Sequence, residues 1–411
     1  MANRYNPFKP NHPIYSGLFA GRSNEIKKID NALYQTSFDN PINILLLGER
    51  GIGKTSLLLL SKYFAQGDVI WESKRHNFLT IQLNLNNNIN SYDFILKFQN
   101  ALKRELNRIY KTQKIIDDFW GFIKRVEISG CKIGKSEISE EQIVIDNFIY
   151  SLIDTVKSIK EHRDNPKEGI LVLIDESDTA HDTLQLGALL KTIAETLVAE
   201  NCNRVLFILA GLPHVTEVLR RSHESSLRLF EELTIGPLGL EDTKFVLAQA
   251  EKEINKIEIE RNFKISEKAI YQFHSLSEGY PHFLQQIGYS TIELSKSNII
   301  TDEDVREAMF SQGGALELIG NRYYSDLFYN KINVDSYRLI LEIMAEKWDE
   351  WISKQEIRKS FKGSSTTLTN GIKALRDRHI ILSKRGVRGQ YRLQWLSFAF
   401  WIKIHKSRFN K

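Results

Sequence analysis

Ile42-Asn43-Ile44-Leu45-Leu46-Leu47-Gly48-Glu49-Arg50-Gly51-Ile52-Gly53-Lys54-Thr55-Ser56 reads as strand, glycine-rich turn and helix. The apolar run Ile42 to Leu47 has the length of a strand buried on both faces. From Gly48 to Thr55 the turn fits G-x-x-x-x-G-K-[ST], the Walker A phosphate loop. Small residues let the backbone curl until successive N–H groups aim at phosphate oxygens. The helix that follows turns its positive dipole end toward the same anion. In this pattern Lys54 reaches the β- and γ-phosphates, and Thr55 places a hydroxyl on Mg²⁺. Gly48, Glu49, Arg50, Gly51, Ile52, Gly53, Lys54, Thr55 and Ser56 are thus the expected cradle for ATP.

Gly169-Ile170-Leu171-Val172-Leu173-Ile174-Asp175-Glu176 is the second anchor. An apolar strand ending in Asp-Glu is the Walker B pattern. It delivers Asp175 to the C-terminal edge of a parallel sheet, where such sheets bind ligands. Asp175 is expected to hold Mg²⁺ and Glu176 to polarise the attacking water. Apolar runs at 78–83 and 205–211, and Leu233 to Ile235, supply further strands. Helical patterns separate them, over 24–35, 91–111 and 142–161. Ser23 is the expected cap of the first, with Ile26 rather than an acid at the capping-box position. Strands alternating with helices imply a three-layer, mostly parallel α/β domain. Residues 125–136 are expected to form a small hairpin, within an insertion at about 114–138.

The chain has 411 residues, 42% apolar and 26% charged, ordinary for a globular protein. No apolar run approaches the ~20 residues that span a bilayer, so no membrane partner is expected. The N-terminus lacks the apolar core of a signal peptide. The two cysteines, Cys131 and Cys202, form no CxxC pair, and both are expected to be reduced in a cytoplasmic protein.

The formal net charge of +5 is unevenly spread: Ile352 to Lys411 holds 15 Lys/Arg and two acids, an excess of 13, leaving −8 for the rest. A basic tail on an acidic body points to a polyanion partner. Within the tail, Ser336 to Met344 has helical spacing, and Ser353-Lys354-Gln355-Glu356 is a capping box for a second helix. Gly363 to Thr367 leads into a third. Short strands at 380–383 and 391–393 flank the basic tip Lys384-Arg385-Gly386-Val387-Arg388-Gly389. Three helices and a basic hairpin is the order of a winged helix. Lys373, Lys384, Arg385 and Arg388 are the expected contacts to duplex DNA.

These motifs together resemble AAA+ ATPases of the initiator (origin-recognition) clade and the allied STAND group. The closest likeness is to bacterial ATPases with a C-terminal winged helix. Asn6 to Pro10 and Phe19-Ala20-Gly21-Arg22 resemble that set's N-terminal signature, which implies Phe19 and Arg22 beside the adenine pocket. Gly211-Leu212-Pro213 falls where the family has sensor 1. Leu227-Arg228-Leu229-Phe230 resembles the place of an arginine finger, with Arg220 and Arg221 as rivals to Arg228. Gly279 to Gln285 looks like sensor 2. Two positions depart: Ala210 and Gly211 offer no polar group at sensor 1, and His282 stands where sensor 2 often has Arg.

The resemblance implies a P-loop AAA+ core over 18–238 after an arm at 1–17. A helical lid at 239–312, a linker at 313–334 and a winged helix at 335–411 follow. It implies ATP hydrolysis, which the two departures at sensor 1 and sensor 2 are expected to slow, ATP-controlled homo-oligomerisation and DNA association. The rival readings are a STAND-like switch in signalling or phage defence, whose winged helix meets a protein effector, and a regulator that recruits a transposase or helicase.

Overall fold

The computed structural model describes residues 4–14, 17–72, 75–86, 88–110, 140–259, 262–348, 350–378, 380–384 and 386–409. The expected insertion and hairpin, Cys131 and Arg385 lie outside them. Two compact units emerge, 22–236 and, separately, 1–21 with 237–411. The arm thus belongs with the C-terminal unit rather than with the nucleotide core. Among the described residues no helix is long and apolar enough to cross a membrane.

The unit 22–236 is built on five parallel strands. They are β1 (Asn43–Leu47), β2 (Leu79–Asn84), β3 (Ile170–Asp175), β4 (Val205–Gly211) and β5 (Phe230–Thr234), in the order β2-β3-β4-β1-β5. Strand β3 is buried along its whole length, as the unbroken apolar run requires. Strand β5 lies at the sheet's edge and carries the exposed Glu231 and Glu232, so it begins three residues before the expected Leu233. Helices Lys54–Gln66, Ser91–Ile109, Glu140–Lys160 and Leu186–Ala199 account for the intervening periodic segments. The first helix runs Ser23–Ser37, with Arg22 rather than Ser23 at its cap and no side-chain capping bond. Arg22 uses its carbonyl to accept from Ile26 N, which moves the helix start one residue earlier.

The second unit opens with four helices, Leu240–Ile257, Glu267–Ser277, Pro281–Leu294 and Asp302–Phe310. Short parallel strands β6 (Lys264–Ile265) and β7 (Ile299–Ile300) tie their ends. The arm lies along Pro281–Leu294 without regular structure. Arg4 donates to Ser295 O, Lys9 N to Gln285 Oε1, and Phe8 packs where a Cβ on Gly288 would clash. Residues 313–334, expected as a linker, instead contain the helix Ala315–Tyr323 and a helical turn at Leu327–Lys331. Leu316, Ile319, Gly320 and Tyr324 have the 3.6-residue period, and Trp401 presses so close to Gly320 that a Cβ there would come within 2.0 Å.

The tail folds as helices Asp335–Glu346, Lys354–Ser360 and Ser365–Asp377 with β8 (Ile352–Ser353), β9 (Ile381–Ser383) and β10 (Gln390–Leu393). The antiparallel order is β8-β10-β9. Ser353 and Glu356 form the reciprocal capping box that the sequence predicts. A last helix, Leu396–Phe409, is apolar on all sides in its first half and supplies Phe398, Trp401 and Ile402 to the core.

Candidate functional site

The phosphate loop leaves the C-terminal end of β1 and closes on the helix Lys54–Gln66. Gly51 and Gly53 take positive φ angles of 78° and 99°, a region glycine enters without a Cβ penalty. Gly48 N donates to Gly211 O, and Ile235 N to Leu47 O, so neighbouring strand ends fix both edges of the loop. The buried Arg22 donates from Nη2 to Ile52 O at 3.0 Å. Its guanidinium is therefore engaged in bracing the loop backbone.

Lys54 Nζ donates to Gly48 O at 2.7 Å and to Glu49 O at 3.0 Å. Burial pulls its pKa below the ordinary lysine value, while Asp178, Asp175 and Glu49, in that order, pull it back up. Thr55 Oγ1 donates to Asp175 Oδ2 at 2.7 Å, which joins the two nucleotide motifs directly. Glu176 follows in a left-handed conformation, φ 56°, and its side chain is exposed. Such a backbone is uncommon in a non-glycine residue and costs free energy that the surrounding turn must offset. Its N–H donates to Asp175 Oδ1 at 2.9 Å.

ATP and Mg²⁺ fit these residues. Thr55 and Asp175 offer adjacent hard oxygens of the kind Mg²⁺ takes, alongside waters and substrate phosphate. The loop N–H groups, the helix start and Lys54 have the chemistry of an anion cradle.

Two residues of this site carried no sequence motif. Asp178 lies in the turn after β3, and its Oδ1 accepts from Leu212 N at 2.9 Å. His214 follows β4, with Nε2 4.0 Å from Asp178 Oδ2. Asp178 is the third acid in Asp175-Glu176-Ser177-Asp178, which is the one signal the sequence offered.

Arg228 is exposed in the 3-10 turn Glu224–Leu229 and makes no hydrogen bond or ion pair among the described residues. Its rival Arg221 pairs with Asp182 at 3.3 Å, and Arg220 is exposed and unpaired like Arg228. The sheet register puts Phe230 beside Asn43, at the end of β1 opposite the phosphate loop. About 17 Å of strand separates the level of Phe230 from Gly48, and Arg228 precedes Phe230 by two residues. It therefore does not serve the phosphate loop of its own chain.

The remaining expected site residues belong to the other unit. Phe19 is part-buried. His282 Nε2 accepts from Arg322 Nη1 at 2.8 Å, and the same guanidinium donates to Pro10 O and Asn11 Oδ1. Burial and the facing Arg322 charge lower the His282 pKa to about 4, so its imidazole is neutral near pH 7. Glu278, just past the helix Glu267–Ser277, is a second part-buried titratable group of this unit. Its Oε1 accepts from Leu396 N at 2.7 Å and Ser397 N at 3.2 Å, tying the start of the last helix to the helix pair before it.

In the tail, Ser365, Thr366, Thr369, Asn370 and Lys373 are exposed on the helix Ser365–Asp377. Lys384 and Arg388 are exposed on the turn between β9 and β10, where Gly386 and Gly389 take positive φ angles of 76° and 77°. Among the described residues Lys373, Lys384 and Arg388 make no ion pair, so their charge is presented to solvent.

No family model matches the chain, and no curated protein matches it. Solved structures do. The Walker-type ATPase paby2304 of Pyrococcus abyssi superposes with a TM-score of 0.58 at 17% identity, over 94% of this chain and 96% of that one. The ORC2 protein of Aeropyrum pernix, in its ADPNP–ADP complexes, gives 0.55 at 14% identity over 100% and 98%. Its ADP form gives 0.51 at 13% identity over 97% and 96%. At such identities the likeness is one of fold, and the fold is that of the AAA+ P-loop ATPases, with five parallel strands and a helical C-terminal region.

Proposed function

We propose that the protein is a Mg²⁺-dependent ATPase that associates with copies of itself under ATP control and contacts duplex DNA through its tail. The observation that carries the ATPase reading is the 2.7 Å bond between Thr55 and Asp175 beneath a fully formed phosphate loop. Loop N–H groups and Lys54 hold and neutralise the β- and γ-phosphates. Thr55 and Asp175 would hold Mg²⁺, which would supply neutralisation of the triphosphate's charge. Glu176 orients a water for in-line attack at the γ-phosphorus. The water's oxygen bonds to phosphorus, its proton passes to the Glu176 carboxylate and on to solvent, the bond to the β-γ bridging oxygen breaks, and ADP and phosphate leave. Arg228 of one copy neutralises developing charge in the site of the next.

The order of three helices and an antiparallel hairpin supports a winged helix, with its exposed cations aimed at phosphate. A nucleotide switch whose tail meets a protein is the second reading. It is favoured by the Glu278 bonds to Leu396 and Ser397, which hold the tail on the helices before it.

The test is nucleotide binding and turnover in three proteins. The parent should bind and hydrolyse ATP, Lys54→Ala should lose binding, and Glu176→Gln should bind while turning over far more slowly. Parent-rate turnover by Glu176→Gln would remove Glu176 from the reaction. DNA-stimulated turnover in the parent favours the first reading over the second.

A further inference from the structure

The end of the five-stranded sheet opposite the phosphate loop carries a cavity of about 310 Å³. Val205 and Phe207 at the start of β4 and Leu229, just before β5, form one side of it. Ala194 and Leu197 of the helix Leu186–Ala199 face them, and Asn203 lines the turn between helix and strand. Val198, 60% exposed, also lines it, so the cavity opens to solvent there. The volume falls at the low end of the roughly 300–1,000 Å³ that small-molecule sites occupy.

The walls are set before anything enters. Cys202 N donates to Leu197 O at 2.8 Å, which fixes the turn to the helix end. Arg204 donates from Nε and Nη2 to the two Asp39 carboxylate oxygens, each at 2.8 Å, which fixes it on the other side. A preformed pocket of this kind spends little free energy on ordering when it binds. Two amides lie at its edge. Asn43 is engaged, since its Oδ1 accepts from Phe207 N at 2.9 Å. Asn203 Oδ1 is buried and accepts no hydrogen bond among the described residues. Such an acceptor carries a desolvation cost that a donor inside the cavity removes. One water would satisfy the amide and leave the apolar walls wet. A small apolar molecule with one donor does both tasks.

We propose that this cavity is a small-molecule site for a rigid apolar body of one or two rings whose single N–H or O–H donor meets Asn203 Oδ1. Leu229 follows Arg228 in the turn Glu224–Leu229, so a molecule that fills the cavity bears on the turn that presents Arg228. Resting on the reading of Arg228 above, occupancy of the site therefore alters turnover between copies.

The probes are indole and 1-methylindole, in which a methyl group replaces the N–H donor. Each is titrated calorimetrically into the parent, Ala194→Phe and Asn203→Leu, with excess Mg²⁺ and ADP to keep the probes out of the nucleotide site. The parent should bind one indole, about tenfold more tightly than 1-methylindole, as one hydrogen bond to an otherwise unpartnered acceptor allows. Ala194→Phe, which fills the cavity, should lose both probes and keep the parent's melting temperature. Asn203→Leu should bind the two probes about equally. A parent that binds no indole overturns the proposal, and so does indole binding that Ala194→Phe leaves unchanged. Equal binding of the two probes by the parent overturns it without recourse to any variant. Loss of self-association in Ala194→Phe, in a chain whose parent ignores indole, would assign the cavity to a second copy instead. Indole should change the turnover of the parent and leave the residual turnover of Arg228→Ala as it is. Unchanged turnover in a parent that binds indole overturns the link to Arg228. A parent that binds indole and hydrolyses no ATP overturns the ATPase reading and leaves the small-molecule site standing.

Discussion

Thr55 Oγ1 donates to Asp175 Oδ2 at 2.7 Å across 120 residues of sequence. One oxygen comes from the first turn of a helix and the other from the end of a strand, two positions on rigid elements. Such a pair is pre-set for a cation that takes hard oxygen ligands in a strict octahedron. Thr55→Ala and Asp175→Asn should each reduce the gap between nucleotide affinity with Mg²⁺ and with EDTA. The reduction should be at least the roughly tenfold that loss of an outer-shell partner costs a metal site. Affinity in EDTA should change little, because Lys54 and the loop N–H groups remain. An unchanged Mg²⁺ dependence in both variants would remove the pair from the metal site.

Arg228 stands off the far end of the sheet from its own phosphate loop. Arg228→Ala should therefore spare nucleotide affinity of the isolated chain and slow turnover only where copies meet. An arginine supplied in trans is worth roughly 10³ or more in rate in other P-loop enzymes. Mixing Arg228→Ala with Glu176→Gln protein should restore part of the activity, since some interfaces then hold one intact site. Two folded, assembling variants that give no recovery on mixing would argue against a shared site. Arg220→Ala is the matched control, being exposed too and, among the described residues, without an ion pair.

Glu278 gives the fold a pH dependence. Burial is the main cause that raises its pKa from 4.5 to about 7, against the pull of the Ser397 and Leu396 N–H bonds and the Arg392 charge. The folded state thus holds a proton that the unfolded chain has released between these values. This contribution to stability is fully present below about pH 4.5 and is lost as pH rises through about 7. The ceiling on the effect is roughly 3 kcal/mol, because a tenfold change in proton affinity is worth ~1.36 kcal/mol. Glu278→Gln keeps an acceptor for both N–H groups and removes the charge. It should melt higher than the parent at pH 8 and close to it at pH 5. Parallel melting curves for the two proteins from pH 5 to 8 would show that Glu278 does not carry the dependence.

The nucleotide core was legible because its parallel strands are buried on both faces and so read as continuous apolar runs, as Ile170 to Ile174 does. The edge strand β5 was half hidden, since Glu231 and Glu232 face solvent and break the run. Asp178 and His214 could not be paired from sequence, for they meet only because β4 inserts between β3 and β1. The last helix escaped notice because Phe398, Phe400, Trp401, Ile402 and Ile404 surround its axis, which leaves no amphipathic period to read. Helix Ala315–Tyr323 had the period but was short and lay between glycines and tyrosines that suggested a connection.

The tail's own chemistry sets how it should treat DNA. Its exposed helix offers Ser365, Thr366, Thr369 and Asn370, short groups of which Asn370 can read adenine, with no arginine placed for the bidentate contact to guanine. Arg376, the one arginine on that helix, pairs with Asp377 at 3.2 Å. Lys373, Lys384 and Arg388 are exposed, make no ion pair among the described residues and suit phosphates. Binding should therefore rest on backbone charge, with modest sequence preference. Changing Lys373, Lys384 and Arg388 together to Ala in the full chain should weaken binding about equally on unrelated duplexes. The slope of log affinity against log salt should fall by about 0.9 for each phosphate that is no longer neutralised, at most ~3 for the three side chains together. A variant that lost affinity for one duplex alone would mean that these side chains read bases. A variant with parental affinity and slope would take the tail's cations out of the interface, and the protein-binding switch would become the better account of the chain.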